Sequence, residues 1–101
     1  MAFLCLLTLH LHFPDTGDLK GKRKQLKSLK DGLHRRFGAA VAETDHHDKW
    51  QRSTLSVALV GRERHTVEEG ADAVRRFAEF KVGDGVRCER ATLSTDDLTG
   101  G

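Results

Sequence analysis

Tyrosine is absent from this 101-residue chain, and aromatic residues of all kinds make up only 6% of it. A β-sheet with so few aromatics, whose phenylalanines are expected to lie in the core, lacks the stacking platform of an RNA-recognition motif. The chain also has no G-x-x-G segment of the kind that clamps the nucleic-acid backbone in KH domains. Both of these modes of recognition are therefore excluded.

Cysteine is scarce, and neither Cys5 nor Cys88 has a partner at a metal-binding spacing. Two thiols in apolar or strand-like runs are typical of a reduced, cytosolic protein rather than a disulfide scaffold. The sequence leaves open whether the two thiols meet in space. It also contains no G-x-S-x-G segment and no Walker loop. Nucleophilic catalysis is therefore disfavoured, and we expect no catalytic residues and no cofactor.

The chain has one long apolar run, residues 1–13, which is too short to span a bilayer. The run has no positive residues at its start, and Pro14 and Asp15 follow it instead of a small-residue cleavage site. It therefore does not fit a secretory signal peptide. We interpret it as a buried strand of a cytoplasmic protein without a membrane partner.

Positive charge is concentrated in residues 18–38. This segment has eight basic residues against Asp18 and Asp31, a local net charge of +6. The rest of the chain has nine basic and thirteen acidic residues, a local net charge of −4. The overall charge of +2 therefore conceals a strongly dipolar chain. Its partners are expected to be anionic and to bind on one side.

Hydrophobic periodicity predicts the order strand, helix, strand, strand, helix, strand. Asp18 is expected to cap the first helix and Gly38 to end it, while Thr66 and Glu69 have capping-box spacing for the second. The predicted segments are strands over 1–13, 39–45, 51–61 and 86–94, with helices over 18–37 and from residue 66. This order favours an α+β ferredoxin-like fold with a four-stranded antiparallel sheet and both helices on one face. We expect one domain over residues 1–94 and a disordered tail over 95–101.

The first predicted helix carries most of its charge opposite its apolar stripe. Asp31 lies among the basic residues and is expected to pair with Lys27 or Arg35. Lys22 lies instead on the stripe of Leu26 and Leu29, so its chain either snorkels to solvent or is held for a partner. The surface is either a phosphate-contacting face or the solvated side of an amphipathic helix. The predicted nucleic-acid-binding residues are Lys20, Lys22, Arg23, Lys24, Lys27 and Arg35.

Several short motifs follow one another in a specific order along the chain. They are an apolar strand ending at Pro14, Leu19-Lys20-x-Lys22-Arg23, Ala42-Glu43-x-Asp45, Asp48-x-Trp50-Gln51, and a strand closing at Val60-Gly61. Together they resemble the YlxP-like bacterial family of unknown function, over about residues 4–93. The resemblance implies a ferredoxin-like fold and a small cytosolic protein, and it implies no catalytic residue. Family genes often lie near those of translation initiation and ribosome maturation factors, which implies an RNA or ribosomal partner.

Imidazoles and carboxylates cluster in the connection between the second and third predicted strands. Such groups are ligands for zinc or manganese, and they would support a metal-dependent hydrolase. Polar contacts within the loop are the alternative, and we favour them. The candidate metal ligands are Asp45, His46, His47 and Asp48. His10 and His12 would join them only if the two groups meet in space.

Leu4 and Leu6 point to the sheet face that the helices leave open. Exposed apolar strand residues often mark association surfaces, so a homodimer joined through the sheets is a second hypothesis. Trp50, beside cations, suits this interface or a base-stacking contact, and the alternative is a ring packed over the sheet edge. The leading hypothesis is a non-enzymatic cytosolic module that contacts RNA or a ribosomal particle through the basic helix.

Overall fold

The computed structural model describes residues 1–13, 17–46, 49 and 51–100. The elements in this part of the chain are β1 (Phe3–His12), α1 (Leu19–Phe37), β2 (Ala40–Asp45), β3 (Arg52–Gly61), α2 (Arg64–Val82), β4 (Val86–Ser94) and α3 (Thr95–Thr99). The predicted order of strands and helices is confirmed through β4. Among the described residues, no helix combines the length and apolarity needed to cross a bilayer.

The four strands form one sheet in the order β2-β3-β1-β4, and every pairing is antiparallel. β1 lies inside the sheet, where Leu7 is opposite Val57 of β3 on one side and Arg90 of β4 on the other. Each strand-helix-strand unit crosses over one intervening strand. Buried residues of both helices belong to one core cluster with Cys5, Leu7 and Leu9 of β1, so both helices lie on the same face. The predicted ferredoxin-like α+β fold is therefore confirmed.

The core lies between the helices and one face of the sheet. Along β1, alternate residues from Cys5 to Leu11 are buried, because successive side chains of a strand point to opposite faces. The helices contribute Leu26, Leu29, Leu33, Val67, Ala71, Val74, Phe77 and Ala78. The face predicted to be core is thus the one that packs against the helices.

The two long helices begin differently. Asp18 caps α1 as predicted, since its Oδ1 accepts a hydrogen bond from the Gly21 backbone N–H at 2.7 Å. Gly38 ends α1 in the left-handed conformation at φ 63°, also as predicted. The predicted capping box at Thr66 is wrong, because α2 already begins at Arg64 and has no side-chain cap. The prediction placed the helix start beside its first buried residue, Val67, whereas the helix begins three residues earlier.

The residues expected to form a disordered tail instead form the short helix α3. Ser94 Oγ accepts from the Asp97 backbone N–H at 3.1 Å, and Asp97 Oδ2 accepts from the Ser94 N–H at 2.8 Å. These hydrogen bonds complete a capping box, and they lower the pKa of Asp97. The backbone N–H of Thr95 also donates to the Ala2 carbonyl at 2.9 Å, which ties α3 to the start of the chain. The expectation of disorder is therefore wrong for Thr95–Thr99.

Gly32 allows α1 to approach α2 closely. A Cβ placed on Gly32 would lie 2.5 Å from Cζ of Phe77, well inside van der Waals contact. The Phe77 ring is also packed edge-on against Phe37, with centroids 5.8 Å apart. The spacing of the helical layer therefore depends on the absence of a side chain at Gly32.

In Gly32→Ala the Phe77 ring must move, and this overpacking is expected to cost about 1–3 kcal/mol. Alanine regains roughly 1 kcal/mol in helix propensity, so the free energy of unfolding should fall by about 2 kcal/mol at most. Urea denaturation of Gly32→Ala measures the change. The double variant Gly32→Ala, Phe77→Leu should cost less than the sum of the two single changes, and strictly additive losses would argue against a steric cause.

Candidate nucleic-acid interface

The outer side of α1 carries a basic surface. Leu26, Leu29 and Leu33 are buried on the opposite side, so the helix presents its charged residues to solvent. The basic α1 surface consists of Lys20, Arg23, Lys24, Lys27 and Arg35, all of which are exposed. These are five of the six residues predicted to contact nucleic acid.

Asp31 lies within the basic α1 surface and reduces its charge. Lys27 Nζ donates to Asp31 Oδ2 at 2.9 Å, which is one of the two predicted pairings. This hydrogen bond lowers the pKa of Asp31 below its ordinary value. Within the part of the chain that the structure describes, Lys20 and Lys24 have no carboxylate partner. Their charges are therefore available to an anionic ligand.

Lys22 does not belong to this surface, because its side chain is only 1% exposed. Its Nζ donates to the His46 carbonyl at 2.5 Å and lies 3.3 Å from Glu43 Oε2. Ser53 Oγ donates to the same carboxylate oxygen at 2.6 Å. The prediction that Lys22 contacts nucleic acid is therefore wrong, and the amine does not snorkel to solvent either. A charged group on an apolar stripe is tolerated here because β2 supplies an acid beneath it.

The Lys22–Glu43 ion pair joins α1 to β2 and to the connection that follows β2. Both residues belong to the motifs that carry the resemblance noted from the sequence. His46, which accepts from Lys22, has a positive φ of 60°, and its backbone N–H donates to Asp45 Oδ1 at 2.8 Å. The ion pair therefore holds the start of the β2–β3 connection beside the first turns of α1, next to the basic α1 surface.

The side of α2 that faces α1 extends the basic surface across a groove. One cavity of about 380 Å³ is lined by Arg36, Phe37, Ala73, Arg76, Phe77 and Phe80. A second, of about 230 Å³, is lined by Lys24, Gln25, Ser28, Lys81 and Val82. We call these two cavities the helix groove. None of the described residues that line it is acidic, so cations from both helices dominate its electrostatics.

Phe80 is the most exposed large apolar side chain among the described residues, at 84%. The expectation that the phenylalanines lie in the core is therefore wrong for this residue. A signal was present in the sequence: at about 100° per residue, Phe80 falls opposite the buried stripe of Val67, Ala71 and Val74. Its ring stands at the edge of the helix groove beside Arg76, one helical turn earlier.

Two cations hold positions over the floor of the helix groove. The Arg36 guanidinium lies 4.9 Å from the centroid of the Phe77 ring, and Lys81 Nζ lies 5.7 Å from it. Lys81 also donates to Ser28 Oγ at 3.5 Å, across the gap between the helices. These cation–π contacts and this hydrogen bond keep the charged groups of Arg36 and Lys81 beside the helix groove.

The open face of the sheet has an apolar end and a polar end. At the apolar end Leu4 is opposite Val60 and Leu93, and Leu6 is opposite Ala58 and Ala91. Leu6 is 43% exposed and Val60 is 76% exposed. Trp50, which was predicted to share this surface, lies outside the described residues.

Histidines converge at the polar end of the same face. His10 of β1 is opposite Thr54 of β3, and His46 Nδ1 lies 3.2 Å from Thr54 Oγ1. The structure thus brings the two histidine groups of the sequence toward one threonine, while His12 is exposed beyond them. Of the other candidate metal ligands, Asp45 bonds to the His46 backbone, and His47 and Asp48 lie outside the described residues. No group of three or more His, Cys, Asp or Glu among the residues that are described is arranged to hold a metal.

The two cysteines do not pair. Cys88 is opposite Leu9 in the register of β1 and β4, four residues from Cys5. Four residues of strand span about 13 Å, which exceeds the reach of a disulfide. Burial also raises the pKa of the Cys88 thiol, which disfavours the reactive thiolate.

Fold and surface together define a small ferredoxin-like α+β domain with a basic helical layer and an open sheet face. The chain belongs to the DUF503 family of proteins of unknown function, whose pattern matches residues 4–87. It is 31% identical over 65 residues to the uncharacterized protein YlxP of Bacillus subtilis, covering 64% of this chain and 71% of that protein. The resemblance identified from the sequence motifs is thereby confirmed.

Solved structures share the fold at low sequence identity. The designed protein Foldit4 has a TM-score of 0.60 at 10% identity, with 94% of this chain and 99% of the design covered. PelD from Pseudomonas aeruginosa has a TM-score of 0.55 at 16% identity, with 91% of this chain and 32% of PelD covered. SnoaB, a cofactor-independent oxygenase from Streptomyces nogalater, has a TM-score of 0.51 at 10% identity, with 92% of each chain covered. At such identities these likenesses describe the fold alone.

The buried Lys22–Glu43 pair allows a direct comparison with an exposed lysine of the same helix. Lys22→Met should lower the free energy of unfolding by roughly 2–4 kcal/mol, because Glu43 loses its buried counter-charge. Lys20→Met, the matched control, should change it by about 0.5 kcal/mol or less. Chemical denaturation of both variants checks the difference. Equal effects would contradict a specific role for the buried amine.

Proposed function

We propose that this protein is a non-enzymatic, cytoplasmic binding module that contacts the phosphate backbone of RNA, free or in a ribosomal particle. The observation that carries the proposal is the basic α1 surface, in which five exposed cations lie along one helix with Asp31 as the acid among them. Solubility alone does not require cations of one sign to be collected on one side. The ribosomal partner is supported by the gene neighbourhood that the family resemblance implies.

In this proposal the protein recognises the charge and the shape of the RNA backbone. Lysine and arginine contacts to phosphate position a protein on nucleic acid without reading its sequence, and they release condensed counterions. From Lys20 to Arg35 the surface extends for about 22 Å along the helix axis, at 1.5 Å per residue. A surface of this length contacts several successive phosphates of one strand.

Charge reversal on α1 tests the proposal. Native protein should bind labelled RNA and purified ribosomal particles with an affinity that falls linearly in log–log coordinates as salt rises. The double variant Lys24→Glu, Lys27→Glu should bind far more weakly, and the loss of two contacts should reduce the salt slope by about 1.4 for single-stranded RNA. Fluorescence anisotropy across a salt series measures both quantities.

A control with the same change in net charge is Arg62→Glu, Arg87→Glu. Both arginines are exposed and lie outside α1 and α2. Each double variant also breaks one ion pair, Lys27–Asp31 in the first and Arg87–Glu89 in the second. The control should lose much less affinity than the α1 variant. Binding that is insensitive to salt, or equally weakened in both variants, would count against the basic α1 surface.

A homodimer through the open sheet face is the second candidate. The observation that favours it is the apolar end of that face, where Leu6 and Val60 are exposed beside alanines of the neighbouring strands. Small and aliphatic side chains at the centre of such a patch suit a two-fold interface, in which the same residues meet from both copies. The polar end would then lie at the rim.

Leu6→Glu should abolish this dimer without unfolding the monomer, because Leu6 is already 43% exposed. Phe80→Glu, which alters an exposed apolar residue of α2 in the helical layer, is the matched control and should leave the dimer intact. Sedimentation velocity over a range of protein concentrations measures the mass of each. A strictly monomeric native protein at high concentration would remove the hypothesis.

A further inference from the structure

The helix groove combines two features that serve different parts of a nucleotide. Arg36 and Arg76 line the larger cavity and carry charges suited to phosphate. Phe80 in the same lining presents an aromatic ring that is 84% exposed. Single-stranded nucleic acids are bound by this combination of a positive groove and an aromatic ring on which a base stacks.

We propose that the helix groove binds a single-stranded RNA segment, with one base stacked on Phe80 and the adjoining phosphates held by Arg36 and Arg76. This inference rests on the proposed function and names its substrate class. The bases of a duplex are already stacked on one another, so a duplex offers no free face to Phe80. The groove therefore distinguishes single strands from duplexes, which the basic α1 surface alone does not do.

The helix groove meets the basic α1 surface at Lys24. Lys24 is part of that surface and also lines the smaller cavity. The two cavities of the helix groove lie along α1 between Lys24 and Arg36, which are about 18 Å apart along the helix axis at 1.5 Å per residue. A strand held by the basic α1 surface would therefore pass the ring of Phe80.

The positive charge of the helix groove complements the phosphates of RNA, which is the occupant that we propose. The described groove lining contains Lys24, Arg36, Arg76 and Lys81 and no acidic residue. The floor is also ordered in advance, since the Phe77 ring is held edge-on by Phe37 and covered by Arg36. The 380 Å³ of the larger cavity falls within the range of small-ligand sites, which suits a single nucleotide.

Phe80→Ala tests the inference, with Phe80→Trp as the conservative variant. The probes are a short single-stranded RNA containing one 2-aminopurine and a duplex RNA of the same length. Phe80→Ala should weaken binding of the single strand about 5- to 100-fold and leave duplex binding unchanged. Phe80→Trp should retain native affinity. Stacking should also quench 2-aminopurine fluorescence with native protein and not with Phe80→Ala.

The outcomes separate this inference from the proposed function. Native single-strand affinity in Phe80→Ala, with the salt-dependent loss in Lys24→Glu, Lys27→Glu still present, would overturn the stacking role alone. An equal loss for single strand and duplex would overturn it too. If Phe80→Ala instead weakens only the binding of a glutamate-rich peptide that contains one tryptophan, the groove is a protein site. Thermal denaturation should show Phe80→Ala to be as stable as native protein, because the ring is exposed.

Discussion

A lysine amine inside the protein is the constraint on which the arrangement of the helical layer depends. Removing an ammonium group from water is costly unless a counter-charge and hydrogen bonds replace its hydration. Lys22 meets this requirement in one position of α1, where Glu43 and the His46 carbonyl surround its Nζ. Rotating α1 about its axis would separate the pair and would expose Leu26 and Leu29. The ion pair and the apolar stripe therefore specify together which side of α1 faces solvent.

The two faces of the molecule follow from its topology. Both crossovers place a helix on one face of the sheet, so the other face receives no covering layer from the described part of the chain. Positive charge is concentrated on the helical layer, and the exposed apolar residues Leu6 and Val60 lie at one end of the open sheet face. The two proposed interactions use opposite faces and do not compete. A dimer joined through the sheets would present two basic helical layers outward, and two linked sites raise the affinity for one long RNA by effective concentration.

The fold and most of the basic α1 surface were predictable from the sequence because they depend on local patterns. Alternation in β1 and the stripe of α1 report directly which side of each element is buried. Asp18 and Gly38 were identified as caps because capping involves residues within one helical turn. The capping box of α3 is equally local, and Ser94 and Asp97 have the spacing that would have revealed it.

By itself, the sequence determined the order of the elements, the core side of β1 and α1, and the exposed cations of α1. Tertiary structure alone decided that Lys22 is buried against Glu43, that Arg76 and Phe80 complete a groove with α1, and that His10 and His46 both approach Thr54. The physical reason is the separation along the chain of the residues that interact. Caps and stripes are set by residues within a turn or two, whereas the burial of a charge or the exposure of a ring depends on which distant segment packs beside it.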